Sequence, residues 1–191
     1  AMSEPTMHYD AIILGAGAAG LMCAIEAGQR GRRVLLIEHN DAVGKKIRIS
    51  GGGRCNFTNV NAEPARYVSA NPRFCHSALS RYTPKDFIAF VERHRIAYHE
   101  KKLGQLFCDG SAQQIIDALV DDCAAAGVEI RLGCTVNAVR KGEGYVAETN
   151  QGDFSAPALV VATGGLSIAK LGATDLAYRI ARQFDAHLVP C

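Results

Sequence analysis

The pattern Gly15-x-Gly17-x-x-Gly20, set between an apolar run and an alanine-rich stretch, constrains this chain more than any other feature. Tyr9–Leu14 (YDAIIL) reads as a short strand buried on both faces, because its apolar end carries no polar alternation. Leu21–Arg30 reads as a helix that ends near Gly28 and Gly31, with Gly31 as the C-cap. Val34–Ile37 reads as a second buried strand, closed by Glu38. Together they make a βαβ unit of ~30 residues, the size of a parallel crossover. In such a unit Gly15 permits the tight turn, Gly17 lets a pyrophosphate approach the backbone, and Gly20 lets the helix pack closely on the strand. The helix N-terminus offers unpaired N–H groups and the positive end of a dipole to phosphates, and Ala18 and Ala19, within the glycine turn, join Gly15, Gly17 and Gly20 as candidate cofactor-binding residues. Glu38 stands 18 residues after Gly20. A carboxylate there accepts hydrogen bonds from ribose hydroxyls and repels a 2′-phosphate. Strand, turn, helix and acid in that order point to FAD or NAD rather than NADP.

Glycine is also the compositional outlier. The chain has 19 glycines in 191 residues, and nine of them lie between Gly15 and Gly53, so the excess is local. Lys45–Asn56 (KKIRISGGGRCN) holds three of those nine in succession. It is not a Walker A loop, since no GKS or GKT follows at the required spacing. Three glycines suit backbone N–H groups wrapped round a ligand, and the flanking Lys and Arg suit phosphate. From residue chemistry alone a flexible basic loop reads equally well. Ala162-Thr163-Gly164-Gly165 follows the apolar run Ala158–Ala162. In open α/β sheets ligands bind at such strand ends, and a plain strand-to-loop turn is the alternative.

Length and charge bound the rest. A chain of 191 residues fits one domain and buries a core without disulfides or metals. Net charge is +2, from 21 basic and 19 acidic residues, with no run of five like charges, too balanced to imply nucleic acid by bulk attraction alone and compatible with a local basic patch. Seven cysteines without a CxxC read as reduced thiols and argue against a dithiol reductase. Cys23, Cys123 and Cys134 lie in apolar surroundings and read as core. His94 and His99 gather no further ligands, so no metal is expected. The apolar stretch at Ala11–Ile25 is too short and too glycine-rich to span a bilayer, which gives a soluble, cytoplasmic reading without a membrane partner.

Between the two apolar runs the pattern changes. Asp41–Asn61 reads as a loop, Asn71-Pro72 and Thr83–Asp86 as helix starts, and Phe87, Phe90, Val91 and His94 as one helical face. Ala97–His99 and Gln105–Cys108 read as a hairpin. Ser111 with Gln114 reads as a capping box for a helix over Ile115–Ala126. Val128, Ile130 and Leu132 alternate as in a strand, and Thr135–Val139 with Tyr145–Thr149 reads as a meander turned at Gly142–Gly144. The expected fold is α/β: a Rossmann-like FAD-binding domain with a parallel sheet plus a small antiparallel β-meander. Residues 1–8 read as a disordered or tag-derived lead-in, residues 9–191 as one FAD/NAD(P)-binding domain, and residues 61–110 as a helical and hairpin excursion.

GAGAAG at Gly15–Gly20, Glu38, SGGGRCNFTN at Ser50–Asn59, ATGG at Ala162–Gly165 and the following LSIAKLGATDLAYRIARQF resemble the YhiN/BaiN-type flavoproteins. These are NAD(P)/FAD-dependent, aminoacetone-oxidase-like oxidoreductases, and the resemblance runs from Tyr9 onward. It implies that Gly15, Gly17 and Gly20 line the FAD pyrophosphate and that Glu38 holds the adenosine ribose. It implies that Lys46, Ser50, Gly51, Gly52, Arg54, Cys55 and Asn56 follow the ribityl and flavin side. Val136 matches the position whose backbone holds adenine, and Thr163 and Gly164 match residues that close over the cofactor. The family's inserted domain and C-terminal glycine-rich segment are not found before Cys191, which makes residues 9–191 an incomplete, N-terminal portion. The implied activity is flavin-dependent oxidoreduction with hydride transfer at flavin N5, NAD(P)H as a candidate electron donor and a small molecule as substrate. The alternatives are a flavin-dependent, uridine-reducing protein with RNA as partner, docked through Lys45, Lys46, Arg48 and Arg54, and an isolated nucleotide-binding fragment without activity. No side chain stands out as a general acid or base, so no catalytic residue is assigned.

Overall fold

The computed structural model describes residues 4–49, 66–69, 84–101 and 104–163. Its strands in chain order are β1 (Met7–His8), β2 (Ala11–Leu14), β3 (Val34–Ile37), β4 (Arg66–Ser69), β5 (Tyr98–Glu100), β6 (Leu106–Cys108), β7 (Glu129–Arg131), β8 (Val136–Lys141), β9 (Tyr145–Thr149), β10 (Gly152–Ala156) and β11 (Ala158–Val161). Its helices are α1 (Ala18–Gln29), α2 (Lys45–Ile49), α3 (Pro84–Arg93) and α4 (Gln113–Ala125).

Five strands form the central sheet in the order β4-β11-β2-β3-β7. β2 pairs in parallel with β3 on one side and with β11 on the other, and β7 runs parallel to β3. Only β4 is antiparallel, against β11. β2, β3 and β11 are buried at every position, as the unbroken apolar runs require. Alternate side chains then serve two cores. Ile13, Leu36 and Val160 face α1, α3 and α4, where they meet Leu21, Phe87, Ile115 and Leu119. Ile12, Leu35, Leu159 and Val161 face the second sheet, ordered β1-β10-β9-β8, where they meet Val139, Tyr145 and Phe154. Each such large apolar side chain, fully buried, contributes ~1.5–3 kcal/mol.

The α/β architecture, the parallel sheet and the small antiparallel sheet follow the sequence pattern, and several local readings are corrected. α1 begins at Ala18 rather than Leu21: Gly17 is its N-cap, and the first helical bond runs from Leu21 N–H to the Gly17 carbonyl at 3.0 Å. At the other end Arg30 holds the C-cap and Gly31 follows it at φ +79°. The segment read as a loop from Asp41 contains α2, too short for a hydrophobic period to show. Within the 61–110 excursion β4 joins the central sheet and α3 and the β5–β6 hairpin lie where the pattern put them, while Asn71-Pro72 falls outside the described residues. Ser111 Oγ accepts from Gln113 N–H at 3.0 Å, not from Gln114 N–H, which takes the Ser111 carbonyl at 3.1 Å. Two residues of the 1–8 lead-in, Met7 and His8, are strand β1 beside β10.

The thiols divide. Cys108, Cys123 and Cys134 are buried thiols outside any disulfide, and burial, then the charge of Asp122, pushes the Cys123 thiol up to about 12. Cys23 is disulfide-bonded, which corrects the reading of a wholly reduced set. Among the described residues no helix is long and apolar enough to cross a membrane, and no cluster of three or more His, Cys, Asp or Glu is placed to hold a metal. His94 and His99 are occupied instead by Asp122 at 2.9 Å and Asp109 at 2.6 Å.

Candidate functional site

β2 is the strand at which the sheet's connections diverge, to β3 through α1 on one side and to β11 on the other. The C-terminal ends of β2 and β11 therefore open a crevice, the usual place for a ligand in an open α/β sheet. The glycines there are set by close approach. Gly15 has φ +105°, and a Cβ on it would stand 2.5 Å from the Ala162 carbonyl oxygen and 2.9 Å from Thr163 N. A Cβ on Gly20 would stand 1.8 Å from the Gly15 carbonyl oxygen. Gly17 differs: a Cβ there would meet nothing within 4 Å among the described residues. Packing thus requires Gly15 and Gly20, whereas Gly17 faces open space.

That space adjoins the start of α1. The helix has neither a side-chain cap nor an acidic residue in its first turn, so the N–H groups of Ala18, Ala19 and Gly20 have no helical partner and the dipole is uncompensated. Thr163 lies just past β11, and its buried Oγ1 has no hydrogen-bond partner among the described residues. An uncapped helix start, an unfilled glycine face and an orphaned hydroxyl together suit a bound anion with further acceptor oxygens.

Glu38 ends β3 and is 7% exposed, the one buried charged residue of the described core. Its Oε1 accepts from Ala16 N–H at 3.0 Å, inside the glycine turn. Its Oε2 accepts from Asn40 N–H at 3.0 Å and from Asn40 Nδ2 at 3.1 Å, and His39 Nδ1 lies 3.1 Å away. The Glu38 carbonyl accepts from Cys134 N–H at 3.0 Å, which ties the acid to the chain leading into β8. Val136 opens β8 at a shift in register, from Val136 opposite Thr149 to Ala138 opposite Glu148. Asn137 is the extra residue of this bulge, a feature that interrupts the ladder and re-aims the backbone.

The structure therefore brings Gly15, Gly17, Ala18, Ala19, Gly20, Glu38 and Thr163 to one end of the sheet, with Val136 beside Glu38 through Cys134. Lys46 is half-buried on α2, which is anchored to the same turn by Gly44 N–H on the Ala16 carbonyl at 2.8 Å. Ser50, Gly51, Gly52, Arg54, Cys55, Asn56 and Gly164 lie outside the described residues. Sequence reasoning missed Asn40 and the structural part of Lys45, whose Nζ donates to Asn40 Oδ1 at 3.1 Å. The available signal was chemical: an Asn two residues past a buried acid readily bonds its neighbours' polar groups.

Residues 9–191 match the family model described as HI0933-like protein Rossmann domain. The chain is 55% identical over 184 residues to the ribosomal RNA dihydrouridine synthase of Escherichia coli (strain K12), covering 96% of this chain and 46% of that protein. It is 44% identical over 190 residues to the ribosomal RNA dihydrouridine synthase of Haemophilus influenzae, covering 97% of this chain and 47% of that one. It thus spans about half the length of these curated relatives. Among solved structures, the crystal structure of Thermovibrio ammonificans THI4 shares the fold, with a TM-score of 0.56 at 16% identity over 95% of this chain and 64% of that chain.

Proposed function

We propose that this chain, which belongs to the HI0933-like Rossmann domain family, is the FAD-binding portion of a flavin-dependent oxidoreductase. One observation carries the reading: the ends of β2 and β11 converge on an uncapped helix start, an open Gly17 and an unpartnered Thr163 hydroxyl, with Glu38 buried alongside. The N–H groups at Ala18, Ala19 and Gly20 would hold the pyrophosphate, with Gly15 and Gly17 giving it room. Glu38 would hold the adenosine ribose, Val136 the adenine through its backbone, and Thr163 Oγ1 a further cofactor oxygen. Lys46, Ser50, Gly51, Gly52, Arg54, Cys55, Asn56 and Gly164 take the flavin-side roles that the family resemblance implies. Bound FAD supplies two-electron chemistry, with hydride passing at flavin N5. The chain's part is to bind, orient and exclude water; it offers no side chain that we assign as acid or base. Of the two names in the resemblance, the YhiN-type one fits the relatives, and the BaiN-type one finds no support in them.

For the whole protein we favour RNA uridine over a free small molecule as substrate, on the names of the two relatives. Arg48, exposed on α2 and without a cofactor role, would meet RNA phosphates, and NAD(P)H is the donor we would try first. The test is a titration of the complete parent protein with FAD, read by absorbance and calorimetry. Yellow protein with stoichiometric FAD supports the reading, and a colourless protein that takes up no added FAD overturns it. Assay of the loaded protein on RNA and on small-molecule acceptors, read by mass for the gain of two hydrogens, separates the two substrate classes.

A further inference from the structure

The two oxygens of Glu38 are held unequally. A carboxylate has about four lone-pair sites, two on each oxygen. Oε2 receives two donors, Asn40 N–H at 3.0 Å and Asn40 Nδ2 at 3.1 Å, and His39 Nδ1 lies 3.1 Å from it. Oε1 receives Ala16 N–H at 3.0 Å as its one donor among the described residues. Asn40 is itself clamped from two other elements: its Oδ1 accepts from Lys45 Nζ at 3.1 Å on α2, and its carbonyl accepts from Gly133 N–H at 2.7 Å before β8. The ammonium fixes which end of the amide faces which neighbour. Lys45 donates only, so it requires Oδ1, and that turns Nδ2 onto the carboxylate.

We propose that Asn40 is a specificity-determining positioning residue of this site: it saturates Glu38 Oε2, so that Glu38 grips the adenosine ribose through Oε1 alone and on a single hydroxyl. This rests on the nucleotide-binding reading above. A two-pronged grip on both ribose hydroxyls would require Oε2 to shed its Asn40 donors while the Lys45 and Gly133 contacts still hold Asn40 in place. The same clamp keeps the Lys45 ammonium on Asn40 Oδ1 rather than on the carboxylate. Glu38 therefore presents its charge to the ribose unneutralised by Lys45, which sharpens rejection of a 2′-phosphate.

Calorimetric titration of the complete parent protein, freed of flavin, with ADP, 2′-deoxy-ADP, 3′-deoxy-ADP and adenosine 2′,5′-bisphosphate tests this. Loss of the gripped hydroxyl weakens binding about tenfold, the scale of one charge-assisted hydrogen bond, and loss of the other by less than about threefold. Asn40→Ala removes the Nδ2 donor and opens one Oε2 lone pair, while the backbone N–H of residue 40 keeps the other, so the two deoxy penalties converge and discrimination against the bisphosphate narrows; a merely structural role for Asn40 would weaken all four ligands alike. Equal deoxy penalties in the wild type overturn the single-hydroxyl grip, and an Asn40→Ala protein with the wild-type ligand profile overturns the role of Asn40. The analogue series needs no variant, so it still decides if Asn40→Ala does not fold. A wild type that binds neither ADP nor FAD overturns the nucleotide-binding reading itself, and this inference with it.

Discussion

At the start of the central strands polar groups answer one another, and at the far end of the same strands a helix start and a buried hydroxyl go unanswered. Asp10 Oδ2 accepts from Arg33 N–H at 2.7 Å, and Asp10 N–H returns a bond to the Arg33 carbonyl at 2.8 Å. The Tyr9 hydroxyl donates to Glu129 Oε2 at 2.5 Å, Arg131 Nε meets the same oxygen at 3.2 Å, and the Arg33 guanidinium lies over the Tyr9 ring. At the far end Gly17 faces open space, the first N–H groups of α1 have no helical partner, and Thr163 Oγ1 is buried without one among the described residues. Unanswered buried polar groups cost stability, ~1–3 kcal/mol each when fully desolvated. A fold that closes one end and leaves the other open concentrates its binding capacity where that cost falls.

Substitutions at the two ends separate stability from binding. The largest effect is expected from Gly20→Ala. Its methyl would overlap the Gly15 carbonyl oxygen, 1.8 Å away, and backbone cannot yield as a flexible side chain does. We expect a loss on the order of 3 kcal/mol or more in chemical denaturation, or no folded protein. Gly17→Ala should invert that result. Its backbone, φ −81°, is ordinary and the space is free. Stability should stay within about 0.5 kcal/mol, while affinity for ADP and FAD falls about tenfold or more in calorimetry. Equal damage to both properties at Gly17 would break the distinction between the packing glycines and the open one.

Thr163→Val removes the orphaned hydroxyl. The unliganded protein should gain about 1 kcal/mol in denaturant unfolding while FAD binding weakens, since the hydroxyl costs stability only until the cofactor answers it. A variant that loses stability without ligand would show that the hydroxyl already has a partner.

The smallest effect belongs to the closed end. Burial pushes the Glu129 carboxyl up, but the Tyr9 hydroxyl and Arg131 outweigh burial and hold it below its ordinary value. Burial, then Glu129, pushes the Tyr9 phenol up. A depressed carboxyl stabilises the fold above its unfolded value of about 4.5, and the contribution fades as pH falls through the lower folded value. Glu129→Gln should therefore flatten part of the acid-side loss of Tm. The side chain is 41% exposed, so solvent screening keeps the effect under about 0.5 kcal/mol. Nucleotide binding should change little, because the Glu129 carboxylate is engaged by Tyr9 and Arg131 and makes no bond to Glu38 or to the glycine turn among the described residues.

How legible each region was follows from the range of the interactions that make it. The glycine turn, α1 and Glu38 were readable because one short stretch carries the turn, the helix and the acid in fixed order. The meander was readable from alternation and turn residues. β4 was not, because Arg66–Ser69 is a strand by virtue of pairing with β11, far along the chain. α2 was missed because five residues offer no period. Asn40 was missed because its importance lies in donating to Glu38 while accepting from Lys45, and a residue string does not disclose which side chains converge.

The sequence by itself determined that a strand, a glycine turn, a helix and a terminal acid would be built in succession, because each depends on residues within a few positions of one another. Only the tertiary structure decided which glycine was needed for packing and which for a ligand. Gly15 is confined by the Ala162 carbonyl, brought in by β11, whereas Gly17 is confined by nothing among the described residues. Tertiary contact also decided how Glu38 is aimed, since its donors come from the β2–α1 turn and from an Asn40 held by α2 and by Gly133. A side chain's type is local information. Its free lone pairs are what remains after distant parts of the chain have taken theirs.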